Sequence, residues 1–477
     1  MKRKLRSSQP TRREFLKTSG IAAIGAPLFF SPFVQRQSYS CIIIGAGLSG
    51  LAAAHALKNK RPAWDVTILE ARERSGGRVH SFRFKQSPEL VSELGAEWVG
   101  ESHERMKALC RDFGIPLKDH RFDAWLMRDG VVKRPGQWDF SHQAKAAFTK
   151  LKQTYEKYTK QQKIRLDQYD WWTLLDEIGF TEDDLLLRDL QDSTDFGETI
   201  RMISAYAAAA EYFESSPANE MDYKMEGGNS RLIEKLAAAV GPVRTGMVVQ
   251  RIRQRGGRVT VTANGIDFVA DACICTVPAR TLDNIVFDPP LPAAQKAAAE
   301  KLQYARIIKN SVLFRERFWG PENFSLVSDV TSHYYFHSTK DQPGKQGVLC
   351  SYAVGEKADV LASQNSQRRT EIVARDLIPF EKRAPELALD IQSYAWQRDK
   401  YTQGAYAFYR PGQWFGLKPI LARPHGKVLF AGEHLADWQG FMEGAVVTGE
   451  AAAAELAARP RRIQVSGSRF QVPGFRS

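Results

Sequence analysis

Three glycines in a six-residue run, Gly45-Ala-Gly47-Leu48-Ser49-Gly50, stand between an apolar stretch, Ser40–Ile44, and an alanine-rich one that begins at Leu51. Phosphate binding needs this arrangement. Gly45 permits a tight turn, Gly47 lets backbone approach a pyrophosphate, and Gly50 lets a helix pack on a strand. A helix starting here offers free N–H groups and a partial positive charge to the phosphates. A second apolar run, Asp65–Leu69, ends in Glu70, at the distance downstream where an acid binds a ribose hydroxyl. An acid there favours FAD or NAD over NADP. The order strand, turn, helix, strand predicts the opening of a doubly wound α/β domain. The plain alternative is a glycine-rich turn beside an unrelated surface Glu.

Directly after Glu70 comes Ala71-Arg72-Glu-Arg-Ser-Gly-Gly77-Arg78, and then Leu94-Gly95-Ala96-Glu97-Trp98. NAD dehydrogenases have no reason to carry the first of these. Near the other end lie Gly432-Glu433 and Gly440-Phe441-Met442-Glu-Gly444. Together these segments resemble the flavin-containing amine oxidase family of monoamine, polyamine and L-amino-acid oxidases, over nearly the whole of 40–458. The resemblance implies an α/β fold in which a Rossmann-like FAD-binding domain (38–100, 226–300 and 425–458) interleaves with a substrate-binding domain of mixed sheet and helices (101–225 and 301–424). It implies that Val249 contacts the adenine and that Gly432 and Glu433 lie near the pyrophosphate and ribityl chain. Gly440 to Met442 would open a helix whose N-terminus faces the isoalloxazine. Relatives with a Cys just before the first cage Tyr bond the flavin covalently; Ala405 stands there, so FAD is expected to be non-covalent.

The same resemblance assigns the reaction site. Tyr406 and Phe441 match the two rings that sandwich the amine, the second being Tyr in many relatives, and Trp396 belongs to the same aromatic-rich end. Ordinary core packing is the competing reading, most of all for Tyr409. Lys309 interrupts the apolar run 307–314, where an ammonium must find a partner. It matches the family lysine that holds a water against flavin N5. The implied activity is oxidation of an amine to an imine by hydride transfer to N5, then hydrolysis to aldehyde and ammonia, with oxygen reduced to hydrogen peroxide. Amino-acid oxidases place an Arg after the Gly-Gly-Arg motif to clamp the carboxylate. Gly95–Trp98 has an acid and a ring instead, which favours a simple amine. Glu97 or Glu101 could salt-bridge the far ammonium of a diamine, or be surface carboxylates. An L-amino-acid oxidase, for basic amino acids, stays open if an Arg enters from 101–225. A desaturase-like or porphyrinogen-oxidase-like relative and a non-catalytic flavin protein are further alternatives. The 101–225 insert is expected to be helical and to cover the substrate with Tyr155, Tyr158, Tyr169, Trp171, Trp172 and Asp192-Ser-Thr-Asp195.

Net charge is +13, but eight Lys/Arg against one Glu fall in 1–40 and five Arg in 459–477, leaving a nearly neutral body. Basic ends of this kind exclude a nucleic-acid surface as the reading. Residues 1–37 hold Thr11-Arg-Arg-Glu-Phe-Leu-Lys17 and a short apolar run, resembling a bacterial twin-arginine signal. That implies the twin-arginine export machinery as a partner and a periplasmic or secreted protein. The run is too short for a stable transmembrane helix. Residues 459–477 read as a basic tail. Five cysteines form no C-x-x-C pair, and Cys273 and Cys275, on one strand face, read as core. His333 and His337 are placed on one strand face without a completing ligand set, so no metal is expected.

Overall fold

The run Ser40–Ile44 forms a strand at the centre of a five-stranded parallel sheet. Its order is Val428–Phe430, Ala272–Cys275, Ser40–Ile44, Asp65–Leu69, Val243–Arg244. Both faces are covered, which is why the strand reads as continuously apolar. Ile43 packs with Ala53 and Leu57 of helix Leu48–Lys60, while Ile42 and Ile44 pack with Val261 and Cys273 on the opposite face. Leu51 and Leu57 are fully buried. Each contributes about 1.5–3 kcal/mol by leaving water.

The two ends of the sequence meet in this layer. Helix Met442–Ala458 lies against helix Leu48–Lys60. Gly449 allows the approach, since a Cβ there would sit 2.2 Å from the Ser49 carbonyl oxygen. Gly50 is equally constrained, 2.0 Å from the Gly45 carbonyl oxygen. A hairpin of Val249–Arg255 and Arg258–Ala263 extends this half of the molecule, and the period-two burial of Arg258–Ala263 follows its alternating sequence.

A seven-stranded mixed sheet makes the other half, in the order Ala388–Ala395, Ile307–Phe314, Gly347–Val354, Tyr334–His337, Phe324–Ser328, Asp123–Arg128, Val131–Lys133. Ile307–Phe314 is buried at every position, so Lys309 sits inside the sheet. The stretch 101–225 is helical only in part. Residues 123–133 supply the last two strands of this sheet, with Val131–Lys133 at its edge, where the sequence reading expected helix. Five helices follow between His142 and Glu214, each preceded by a Ser, Thr or Asp whose side chain accepts from the first turn.

The computed structural model describes residues 38–459 apart from Trp438, so the twin-arginine-like segment and nearly all of the basic tail lie outside the described residues. Residues 39–459 belong to one compact unit. Among the described residues no helix is long and apolar enough to cross a membrane. All five cysteines are buried and unbridged, with Cys273 and Cys275 in one core cluster. His333 is not on a strand with His337: it lies before strand Tyr334–His337 with φ +62°, and the two rings bond the carbonyls of Leu190 and Glu322.

Candidate active site

A cavity of about 670 Å³ runs between the parallel sheet and the helical insert. The glycine loop opens it. Gly45, Gly47, Leu48 and Ser49 line the wall, whereas Gly50 packs behind it. Gly47 caps helix Leu48–Lys60 with no side-chain bond and no acid in the first turn, so its amides are open to an anion. Gly77, at φ +55°, closes on Gly47 to within 3.3 Å of where its own Cβ would be, so backbone meets backbone across the loop. The Ser49 hydroxyl is buried without a partner among the described residues. Such a group costs about 1–3 kcal/mol unless a ligand satisfies it. These features fit a dinucleotide.

The other expected cofactor residues converge here. Ala71, Arg72, Arg78, Gly95, Ala96, Glu97, Trp98, Val249, Gly432, Glu433, Gly440, Phe441 and Met442 all line the cavity. Several are already engaged. Glu70 accepts from the Ala46 amide at 2.7 Å and the Arg72 amide at 2.9 Å, which ties strand Asp65–Leu69 to the glycine loop and leaves lone pairs for a ribose. Glu433 receives Arg78 at 2.6 Å and the Gly440 amide at 2.8 Å, so it braces two loops of the site. Arg72 pairs with Asp399. Helix Met442–Ala458 begins at Phe441 without a side-chain cap, and Glu443 of its first turn turns away to the amides of Arg105 and Met106. Its positive end therefore faces the cavity.

On the reaction side Lys309, Trp396, Tyr406 and Phe441 line the same cavity. Trp396 is a fixed wall: its indole donates to the Leu94 carbonyl at 2.8 Å and its ring lies on Tyr394. Tyr406 rests against Gly440, where a Cβ would meet its ring at 2.7 Å, and its hydroxyl donates to the Asp195 carbonyl oxygen. Ala405 lies beside it in the cavity wall. Tyr409 does not line the cavity; it is a core ring bonded to the His434 carbonyl.

Lys309 finds its partner in Glu97. The ammonium, 3% exposed, donates to Glu97 Oε2 at 2.7 Å and to the Gly95 carbonyl at 3.0 Å. Glu97 Oε1 accepts from Lys224 at 2.9 Å and contacts His120 at 3.1 Å. Burial opposes the Glu97 charge, yet Lys224 and Lys309 hold its carboxyl well below the usual range. Burial also opposes the Lys309 charge, and Glu97 more than offsets it, raising the ammonium above its ordinary value. Burial pushes His120 down to about 4, so it is neutral. This overturns one expectation. Glu97 is not available for a substrate ammonium, because both its oxygens are taken. Glu101 is exposed, paired with Lys107 at 2.6 Å, and away from the cavity.

The helical insert also differs from expectation. Tyr155, Trp171 and their neighbours Tyr158 and Trp172 pack into the core between the insert and the mixed sheet, and Tyr169 is exposed. Of the residues expected to cover the substrate, Thr194 and Asp195 do face the cavity, joined by Phe196, Glu211, Asn219 and Met221, whereas Asp192 and Ser193 do not line it. Glu211, Lys224 and His120 were not singled out in the sequence. An acid closing the run Ala207–Ala210 was the one available signal, and it reads as a solvated helix face.

A profile of the family described as flavin containing amine oxidoreductase matches residues 48–457. The L-amino-acid oxidase of Pseudechis australis is 25% identical, over 89% of this chain and 88% of its own. That of Protobothrops flavoviridis is 26% identical, over 87% and 88%. Among solved structures, a putrescine oxidase bound to putrescine superposes with a TM-score of 0.78 at 22% identity, covering 88% of this chain and 99% of that one. The cyclohexylamine oxidase of Brevibacterium oxydans IH-35A gives the same TM-score, identity and coverage. These structural likenesses show the fold.

Proposed function

The chain belongs to the flavin-containing amine oxidoreductase family, and from that premise we propose that it oxidises an amine bearing no α-carboxylate. The observation that carries this reading is the placement of the cationic side chains in the cavity wall. Arg72 and Arg78 are bound to Asp399 and Glu433, and Lys309 to Glu97. Lys400 is exposed over Tyr401, beside the Arg72–Asp399 pair. Among the described residues, 101–225 contributes no arginine to the wall. Trp98 stands where the clamp of an amino-acid oxidase would be, packed on Phe336 and His120. A substrate carboxylate would enter beside acids and rings, which is costly without a paired cation.

FAD, held non-covalently, would supply two-electron acceptance and return the electrons to oxygen as hydrogen peroxide. The chain's residues do the rest. The glycine loop and Glu70 hold the dinucleotide. Tyr406 and Phe441 wall off the reacting nitrogen and disfavour its protonated form by desolvation. The Lys309 charge disfavours an ammonium next to it for the same end. Tight fixing of Lys309 by Glu97 and Gly95 keeps that charge in place during turnover. The reading includes export in folded form by the twin-arginine route to the periplasm.

The test is anaerobic bleaching of the flavin by matched pairs that differ in the α-carboxylate: n-pentylamine against L-norleucine, and phenethylamine against L-phenylalanine. The amine of each pair reduces the flavin faster. Faster reduction by the amino acids would assign the chain to L-amino-acid oxidation, and no reduction by either would remove the oxidase reading.

A further inference from the structure

Asp195 and Glu211 come from the last turns of two helices, Glu182–Phe196 and Ala205–Glu214. An acid at a helix C-terminus opposes the helix dipole, and neither last turn carries a basic residue to offset it. Helix stability therefore does not explain these residues. Fold packing does not explain them either. Asp195 receives the Tyr212 hydroxyl at 2.5 Å and Asn219 Nδ2 at 3.2 Å, both on one oxygen. Glu211 has no hydrogen-bond or ion-pair partner among the described residues, is half-buried and lines the cavity. The nearby cation, Arg188, is committed to Asp192 at 2.9 Å. Burial and the neighbouring Asp195, Asp192 and Glu220 push the Glu211 carboxyl well above its usual range. Burial and Asp192 push Asp195 up to about 7. Gln439, 7% exposed, adds a buried Oε1 without a partner among the described residues to the same cavity. At this end the wall thus presents carboxyl groups and an amide oxygen that no cation of the protein offsets.

We propose that Asp195 and Glu211 bind the distal cationic nitrogen of a linear aliphatic diamine whose other nitrogen is oxidised. This rests on the amine-oxidase reading and names its substrate class. Tyr406 joins the two ends, with its ring at the Gly440 loop and its hydroxyl on the Asp195 carbonyl, so the distal subsite lies one phenol's length from the reacting nitrogen. The ends of the cavity then treat nitrogen oppositely. Paired Lys309 and the aromatic walls favour a neutral amine, and the unpaired acids favour an ammonium.

The test compares 1,4-diaminobutane with n-pentylamine, which has the same number of heavy atoms and a methyl in place of the distal ammonium, on the full-length holoenzyme. The expected kcat/KM ratio favours the diamine by at least about 30-fold, as a charge-assisted contact in a buried site does. E211Q is expected to lower that ratio at least tenfold, with D195N acting in the same direction. Equal or better turnover of pentylamine by the wild-type enzyme would overturn the proposal and leave amine oxidation standing. A preference for the diamine that E211Q and D195N leave intact would also overturn it, by placing the anchor elsewhere. Failure of every amine to bleach the flavin would sink the oxidase reading and this inference with it.

Discussion

At the Gly95–Trp98 side of the cavity, Glu97 is buried among Lys309, Lys224 and His120, and both its oxygens are satisfied. On the helical wall, Asp195 and Glu211 are half-buried beside Asp192 and Glu220, with Arg188 already paired to Asp192. One carboxylate is held ionised by the protein; the other two are held in want of a cation. The contrast separates a charge pair that fixes Lys309 from the proposed subsite, which takes its counter-charge from the substrate.

The comparison can be broken most strongly at Glu97. E97Q leaves two buried ammonium groups without a carboxylate, and removal of one partner of a buried pair costs about 3–5 kcal/mol. Denaturant unfolding of the holoenzyme should show that loss. A loss under about 1 kcal/mol would mean that the cluster is solvated or differently paired.

The pH dependence of stability should have opposite signs at the two sites. Asp195 is raised to about 7, so it adds stability below its unfolded value near 4 and loses it as pH climbs through 7. Its contribution falls by at most about 1.4 kcal/mol per pH unit in that window. Glu97 is depressed, so its contribution is present above the unfolded value and disappears only as pH falls below about 4. Unfolding midpoints of wild type and D195N between pH 5 and 8 test this. D195N should flatten the decline, and parallel curves would refute the assignment.

At pH 7.5 without substrate, E211Q should leave stability unchanged or raise it by up to about 1 kcal/mol, because it removes a carboxylate with no partner. A clear loss of stability would reveal a partner for Glu211. The smallest effect belongs to Y406F, which removes one hydroxyl from the Asp195 carbonyl while keeping the ring. With pentylamine, kcat/KM should fall by about fivefold, in keeping with one neutral hydrogen bond.

Local signals were legible in the sequence. The glycine loop, the strand before it and the helix after it depend on neighbours within a few residues, so Gly45, Gly47 and Glu70 could be placed from spacing. Lys309 was legible as an ammonium in an apolar strand that had to find a partner. Its partner's role was not. Glu97 looked like a candidate for a substrate ammonium because Lys224 and His120, which saturate it, arrive from distant segments with nothing local to mark them. Most of the conspicuous aromatic residues of the insert, Tyr155, Tyr158, Trp171 and Trp172, pack into a core, since large rings bury best against each other, and Tyr169 is exposed. Glu211 was hidden by the opposite effect. An acid after four alanines resembles a solvated helix face, and only the juxtaposition with helix Glu182–Phe196 makes it a cavity wall.

The most direct measurement is the anaerobic rate of flavin bleaching by 1,4-diaminobutane against L-ornithine, which is the same molecule with an α-carboxylate. A cavity without a free cation at the reacting end predicts faster reduction by the diamine, by at least about tenfold. Faster reduction by ornithine would contradict the account, because it would require a carboxylate-binding group that this cavity wall does not offer.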